Sequence, residues 1–391
     1  MPPAWTIVEY SGRDGLLEIE SDWTRLVAAM PDARFQHLFE THLSCVDHLP
    51  SAFGPLRCLA LSDGTRIRAI CPIDPQQFPV FRIFKSPVWG FLKGLEDVPR
   101  DVICPPDPEA EAALLPCVAG HLRRMRPRRR WLVLTRVLEG SAVWRCLQRG
   151  GASTYHADRD DSAHVIRCDR PFAEIAAQLS RKFRANLRSA HNRLAKLAEV
   201  SFVRTHDPAD LGAAFDRYLK VESSGWKGPA GSRTALALRP NHLAFYRSWI
   251  AALGARGRCE FNELRSDETC VASTFCIRLG DEVTVLNISY DEQFANVAPG
   301  HLVLERILQQ CCDDPSITHV NLVGSAAWNL VWEPEVTASY NVYLGIGGWT
   351  ARLRVALLRM SFLYWPVVKR LLRRSRAADA SPAATRASLS A

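Results

Sequence analysis

Apolar residues recur along the chain with two distinct periods, and their alternation outlines a fold. "SDWTRLVAAM" and "RFQHLFETHLSCVDHL" repeat apolar positions every three or four residues, which predicts helices. "PLRCLALSDGTRIRAICPI" holds two alternating apolar runs on either side of Asp63-Gly64, which predicts a β-hairpin. A helix follows in "PEAEAALLPCVAGHLRRM", then a buried strand in "RWLVLTRV" and a short helix from about Ser141 to Arg149.

From Ala152 to Cys168 a strand-like stretch leads into "RPFAEIAAQLSRKFRANLRSAHNRLAKLAE", which reads as one long helix over 172–199. Its apolar positions Leu179, Phe183, Leu187, Ala190, Leu194 and Leu197 predict one buried face, with Arg181, Arg184, Arg188 and Lys196 mostly on the others. Helices are then predicted from Pro208 to Val221 and from His242 to Ala255. Three strands follow, "CEFNELRSD", "TCVASTFCIRLGD" and "EVTVLNISYD", then a helix from Pro299 and a strand in "THVNLVG". The order helix, helix, antiparallel strands, helix, strand thus occurs twice. It predicts an α+β chain of two related domains, 1–151 and 152–345, without a residue-level repeat. The tail, 346–391, mixes aromatic and basic residues and ends in an Ala/Ser-rich stretch expected to be disordered.

Composition supports two folded domains: 391 residues, 47% hydrophobic and 23% charged, exclude a disordered chain. A formal charge of +8 predicts attraction to phosphates, anionic lipids or acidic polymers without choosing among them. Ser180–Lys196 packs six Arg or Lys with no acidic residue, so it suits a solvated connector face, a nucleic-acid contact, a membrane-surface helix or part of an enzyme that handles an anionic substrate. The twelve cysteines stand in apolar contexts and read as buried thiols, with no metal-ligand spacing. No basic segment followed by an apolar run opens the chain, so a cytoplasmic protein is expected. The uncharged run Met360–Val368 falls short of the roughly 20 residues of a membrane span. The segment 349–376 is left between contact with the inner-membrane surface and docking on the protein itself.

Two stretches carry candidate chemistry. "VESSGWKGPAGSRTAL" sets Trp226 and Lys227 between glycines. It reads either as an aromatic wall with a cation for a ligand, or as a helix cap at Gly225 with Trp226 folded onto the core. "VTVLNISYDEQFANVAPGHLVLERIL" places Pro299-Gly300 at a helix start, where unpartnered amides and the helix dipole favour a phosphate.

Together with "SRKFRANLRSAHNRL" and "NLVGSAAWNLVW", these stretches stand in an order that resembles the GNAT-type acyltransferases of the CelD/BcsL cellulose-biosynthesis family, themselves similar to the FemAB aminoacyltransferases. The resemblance spans about Ala152 to Leu344. It implies two tandem GNAT-like (acyl-CoA N-acyltransferase) domains, each a mixed, mostly antiparallel sheet flanked by helices, the first degenerate. It implies acetyl-CoA or another acyl-CoA as cosubstrate, its pyrophosphate on Ala298, Pro299, Gly300, His301 and Leu302, and no metal. The acceptor would be a saccharide or envelope precursor in exopolysaccharide biosynthesis; a tRNA donor, as in the FemAB relatives, is the rival, and a non-catalytic binding protein of the same fold is the third reading. Glu222 and Asp291 are the candidate bases. Arg184, Arg188, Trp226, Lys227, Gly324, Trp328 and Trp332 are the candidate substrate contacts. Trp328 and Asn329 stand where the family has Tyr and Lys, which alters the charge expected there.

Overall fold

The computed structural model describes residues 5–379 apart from 82–84, 93, 95–97, 126–128, 151–153, 198, 268 and 325, with side chains as far as Tyr364. The expected domain boundary at 151/152 and the expected disordered end at 380–391 lie outside the described residues.

The first lobe begins with β1 (Thr6–Ser11), α1 (Gly12–Glu18), α2 (Glu20–Ala28) and α3 (Phe39–His48). The foreseen hairpin of β2 (Arg57–Ser62) and β3 (Ile67–Phe78) comes next, then β4 (Ser86–Phe91), α4 (Pro108–Met125), β5 (Trp131–Leu138) and α5 (Ala142–Arg149). β6 (Tyr155–Arg167), α6 (Phe172–Gln178), α7 (Arg181–Leu197), β7 (Ser201–Thr205), α8 (Pro208–Ser224) and α9 (Pro240–Gly254) follow. The remaining elements are β8 (Cys259–Ser266), β9 (Thr269–Leu279), β10 (Glu282–Tyr290), α10 (Pro299–Asp313), β11 (His319–Asn321), β12 (Glu335–Gly345) and α11 (Trp349–Asp379).

The twelve strands among the described residues form one sheet in the order β1-β2-β3-β4-β5-β12-β6-β11-β10-β9-β8-β7. Read inward from either edge, the two halves match. Each has an antiparallel meander and then a parallel pair bridged by a helix, β4-α4-β5 in one and β10-α10-β11 in the other. Each ends on an antiparallel sixth strand. Those sixth strands are exchanged: the chain leaves β5, crosses as β6 to β11 of the second lobe, and returns as β12 beside β5. β6 and β12 then pair with each other from Tyr155↔Leu344 to Val165↔Glu335, joining the lobes through backbone hydrogen bonds.

A shared apolar cluster adds to this joint. Phe35 and Leu38 of the first lobe pack among Phe245, Trp249 and Phe275 of the second, and the Trp249 indole donates to Thr41 Oγ1 at 3.0 Å. Burying each side chain of that size contributes about 1.5–3 kcal/mol.

Three expectations need correction. The long helix over 172–199 is two helices. Leu179 is extended (ψ 147), and Ser180 starts the next helix by accepting the Phe183 amide at 3.2 Å, so a competing cap ends α6. Leu197, read as the last member of the buried stripe, is exposed at the frayed end of α7, whereas Phe183, Leu187, Ala190 and Leu194 are buried as expected. β1, β4, β7 and β12 were not foreseen from the pattern. Ten of the twelve cysteines are buried, Cys117 and Cys312 half-buried, and burial pushes thiols such as Cys45 and Cys311 up to about 12, far from a reactive thiolate.

Candidate functional site

The parallel pair of the second lobe opens into a wedge. β10 and β11 are in register only from Glu282↔His319 to Thr284↔Asn321. Beyond that, a bulge at Leu286 interrupts β10, while the chain after β11 stays on β6, the Leu322 amide continuing that ladder to His164 O at 2.8 Å. Between them lies a cavity of about 810 Å³, walled by Leu286, Asn287 and Ile288 on one side and Leu322, Val323 and Gly324 on the other. Val323 sits at φ 63, a conformation that costs a β-branched residue about 1–2 kcal/mol, and its amide is held by Asn321 Oδ1 at 2.8 Å.

One end of the cavity meets the start of α10. Ala298 takes a left-handed conformation (φ 49, ψ 54), Pro299 has no amide hydrogen, and no side chain caps the helix. Among the described residues the Gly300 amide has no acceptor. A Cβ at Gly300 would stand 3.5 Å from Ile288 and 3.7 Å from Tyr290, so its lack of a side chain keeps the wedge open and is not demanded by the backbone. The free Gly300 amide and the positive helix end meet the cavity together, an arrangement suited to a phosphate, while the next two amides, of His301 and Leu302, are held by Ala298 O at 3.0 and 3.4 Å.

His301 lines the same end. The Trp332 indole donates to its Nδ1 at 3.1 Å, and because an indole N–H can only donate, the ring proton sits on Nε2. Burial holds the imidazole below its ordinary pKa, which keeps it neutral. Its rim is aromatic: Phe183 at 5.2 Å and Trp328 at 5.7 Å, both edge to face. Asn329 is 1% exposed; its Nδ2 donates to Gly324 O at 2.8 Å, while its Oδ1 has no partner among the described residues and lies on the cavity wall.

The other end is polar. Glu222, 6% exposed at the end of α8, binds Lys227 Nζ at 3.2 Å and accepts the Leu236 amide at 2.8 Å, which folds the intervening loop onto the cavity. That loop closes tightly enough to need glycine twice: a Cβ on Gly228 or Gly231 would lie 1.9 Å from the carbonyl oxygens of Ser223 and Trp226. Arg239 donates to His242 Nε2 at 2.6 Å on the same wall. Tyr246 lines the wall near them, its hydroxyl accepting from Asn287 at 3.3 Å; burial pushes its pKa up to about 12.

Of the residues singled out from sequence, Glu222, Lys227, Ala298, Gly300, His301, Gly324 and Trp328 line this one cavity. Pro299, Leu302 and Trp332 are buried behind it. Four are not on its wall. Asp291 accepts the Gln293 amide at 3.0 Å and caps the turn Glu292–Val297. Arg184 is half-buried and Arg188 exposed on α7, whose Phe183 backs the His301 wall. Trp226 is 64% exposed, with Lys227 Nζ 5.8 Å from its ring centre, so the reading in which it folds onto the core fails; Gly225 does end α8 as a cap. Sequence reasoning missed Arg239, His242 and Tyr246, which stand in no motif and reach the cavity through the packing of α9, and Tyr290, which lies inside the quoted strand-to-helix stretch but was not singled out.

Comparison with known proteins agrees with this geometry. Residues 181–328 match the family model of the acetyltransferase (GNAT) domain, a span that holds α7, the loop after α8 and both walls of the cavity. No curated protein matches the sequence. The fold is similar to the crystal structure of FemX, with 10% identity and a TM-score of 0.57 over 83% of this chain and 96% of that one. It is also similar to the C-terminal domain assigned to a lysylphosphatidylglycerol synthetase from Agrobacterium fabrum, with 12% identity and a TM-score of 0.52 over 90% and 97%. A conserved protein from Bacteroides thetaiotaomicron gives 12% identity and a TM-score of 0.51 over 83% and 97%. The second lobe is therefore similar to the acetyltransferase (GNAT) domain in sequence over 181–328 and in fold, and the first lobe repeats its strand order.

Proposed function

We propose that the chain transfers an acyl group, acetyl being the simplest, from acyl-CoA to an amine or hydroxyl of a saccharide or envelope precursor. The observation that carries this reading is the wedge between β10 and β11 ending on an uncapped helix start. The donor's pyrophosphate would rest on the Gly300 amide and the positive end of α10, and its extended arm would lie along the part of β10 that β11 leaves free. The acceptor would enter from the side of Lys227 and Arg239, two cations that favour a phosphorylated or acidic sugar. Its nucleophilic atom bonds to the thioester carbon as the carbon–sulfur bond breaks, and CoA departs as the thiol. Glu222, alone of the two candidate bases on the cavity wall, would take the acceptor's proton directly or through water. The Nε2–H of His301 would stabilise the developing oxyanion. Work in exopolysaccharide or envelope assembly on the cytoplasmic side fits the CelD/BcsL resemblance of the motifs.

Thermal stabilisation by acetyl-CoA and by free CoA tests the donor. At a ligand concentration about a hundredfold above Kd, stabilisation of about 2.7 kcal/mol is expected. Gly300→Glu, whose carboxylate would occupy the phosphate seat, should fold normally and lose the response. If neither ligand shifts the wild type, the donor is not CoA, and salt-sensitive tRNA retention becomes the next assay.

A further inference from the structure

α11 has two apolar faces, and the body of the protein uses one. Ala351, Val355 and Leu358 are buried against the sheet, with Phe362 beside Tyr343 and His156. On the opposite side Trp349, Leu353, Leu357, Met360, Leu363 and Tyr364 follow one another every three or four residues in a single stripe, from 49% exposed at Met360 to 76% at Trp349. Isolated exposed apolar residues need no explanation; a continuous stripe along a helix does.

Charge indicates what the stripe meets. Residues 349–391 contain nine Lys or Arg and a single acidic residue, Asp379, which accounts for the whole formal charge of +8. The rest of the chain, α7 included, is formally neutral. A cationic segment with an apolar face, bordered by Trp349 and Tyr364, has the chemistry of a helix lying in the headgroup layer of an anionic bilayer. No helix among the described residues is long and apolar enough to cross a membrane, so contact would be with the surface. We infer that α11 docks the protein on anionic lipid through the stripe Trp349–Tyr364. The inference rests on α11 alone and stands apart from the acyl-CoA reading.

Co-sedimentation of the full chain with phosphatidylcholine vesicles, with and without phosphatidylglycerol, provides the test. Binding should require phosphatidylglycerol and weaken as salt rises. Leu353→Glu/Leu357→Glu should lower vesicle binding by about tenfold or more, since it removes apolar contact and adds repulsion. Both positions are more than half exposed, so its melting temperature and any CoA response should match the wild type. Arg181→Glu/Arg188→Glu on α7 should bind vesicles like the wild type. Wild type that stays in solution with phosphatidylglycerol vesicles, or a double α11 variant that binds undiminished, overturns the proposal. So does a lipid-independent dimer that the α11 variant dissolves, because the stripe would then belong to a second copy.

Discussion

The two lobes set a helix in the same place, between a pair of parallel strands, and begin it in opposite ways. α4 of the first lobe starts on Asp107, whose Oδ1 accepts the amides of Glu109 (3.1 Å) and Ala110 (3.2 Å) while its carboxylate pairs with Arg68. Glu109 and Glu111 stand in its first turn, and Glu111 is buried against Arg145 and Arg149. α10 of the second lobe starts on Ala298, with no cap and no acidic residue in its first turn. The first lobe supplies its own carboxylates to the helix end, and the second leaves that end to the cavity. The same supersecondary unit thus begins on its own carboxylate cap in one lobe and opens uncapped onto a cavity in the other, a difference made by a few side chains at the helix start.

If that division holds, changes in the first lobe should alter stability without CoA binding, and changes at α10 should do the reverse. The largest expected effect concerns the buried His42 of the first lobe. His42 packs on Trp23 at 4.6 Å and binds Leu38 O at 3.2 Å, and burial lowers its pKa to about 4. The unfolded chain takes up this proton near 6.5 and the folded one only near 4, so the contribution is complete above about 6.5 and lost as pH falls through 4. A shift of that size is about 3 kcal/mol. Urea unfolding from about pH 7 to about pH 4 should show wild type losing that much more than His42→Gln, with CoA stabilisation at neutral pH alike in both. Next in size is Ala298→Asp, which gives α10 the carboxylate that α4 already has. An acidic side chain is tolerated in the left-handed region and favours the helix end. Stability should hold or rise slightly, while CoA affinity falls by about thirtyfold, or about 2 kcal/mol, in calorimetric titration.

Much of this contrast could be read from sequence, and what could not has definite causes. Pro299-Gly300 after an alternating strand marked the open helix end, because the features that leave amides unpaired are local. The hairpin at Asp63-Gly64 was legible for the same reason. β12 was not: it lies mid-sheet between β5 and β6, and its pattern reflects contacts with both lobes rather than one wet and one dry face. The exchange of β6 and β12 left no trace in local periodicity. The basic stretch Ser180–Lys196 drew attention by composition, yet Arg184 and Arg188 stand off the cavity wall. Arg239 and His242, unremarkable in sequence, stand on it. Trp226 was ambiguous until the loop's closure through Glu222 and Leu236 showed it directed away from the core.

The smallest expected effect is also the cleanest test of the division between lobes. Asp107→Ala removes two hydrogen bonds at the start of α4 and one partly exposed ion pair with Arg68. Loss of such a cap costs about 1 kcal/mol, and the pair adds little beyond that because solvent reaches it. Urea unfolding should therefore show a modest drop in midpoint at unchanged slope. Acetyl-CoA should stabilise the variant by the same increment as the wild type, since α4 and α10 belong to different halves of the sheet, separated by the exchanged strands. A CoA response that fell along with stability would mean that strain at α4 reaches the wedge through β5, β12 and β6, and the first lobe would then be a working part of the site rather than its scaffold.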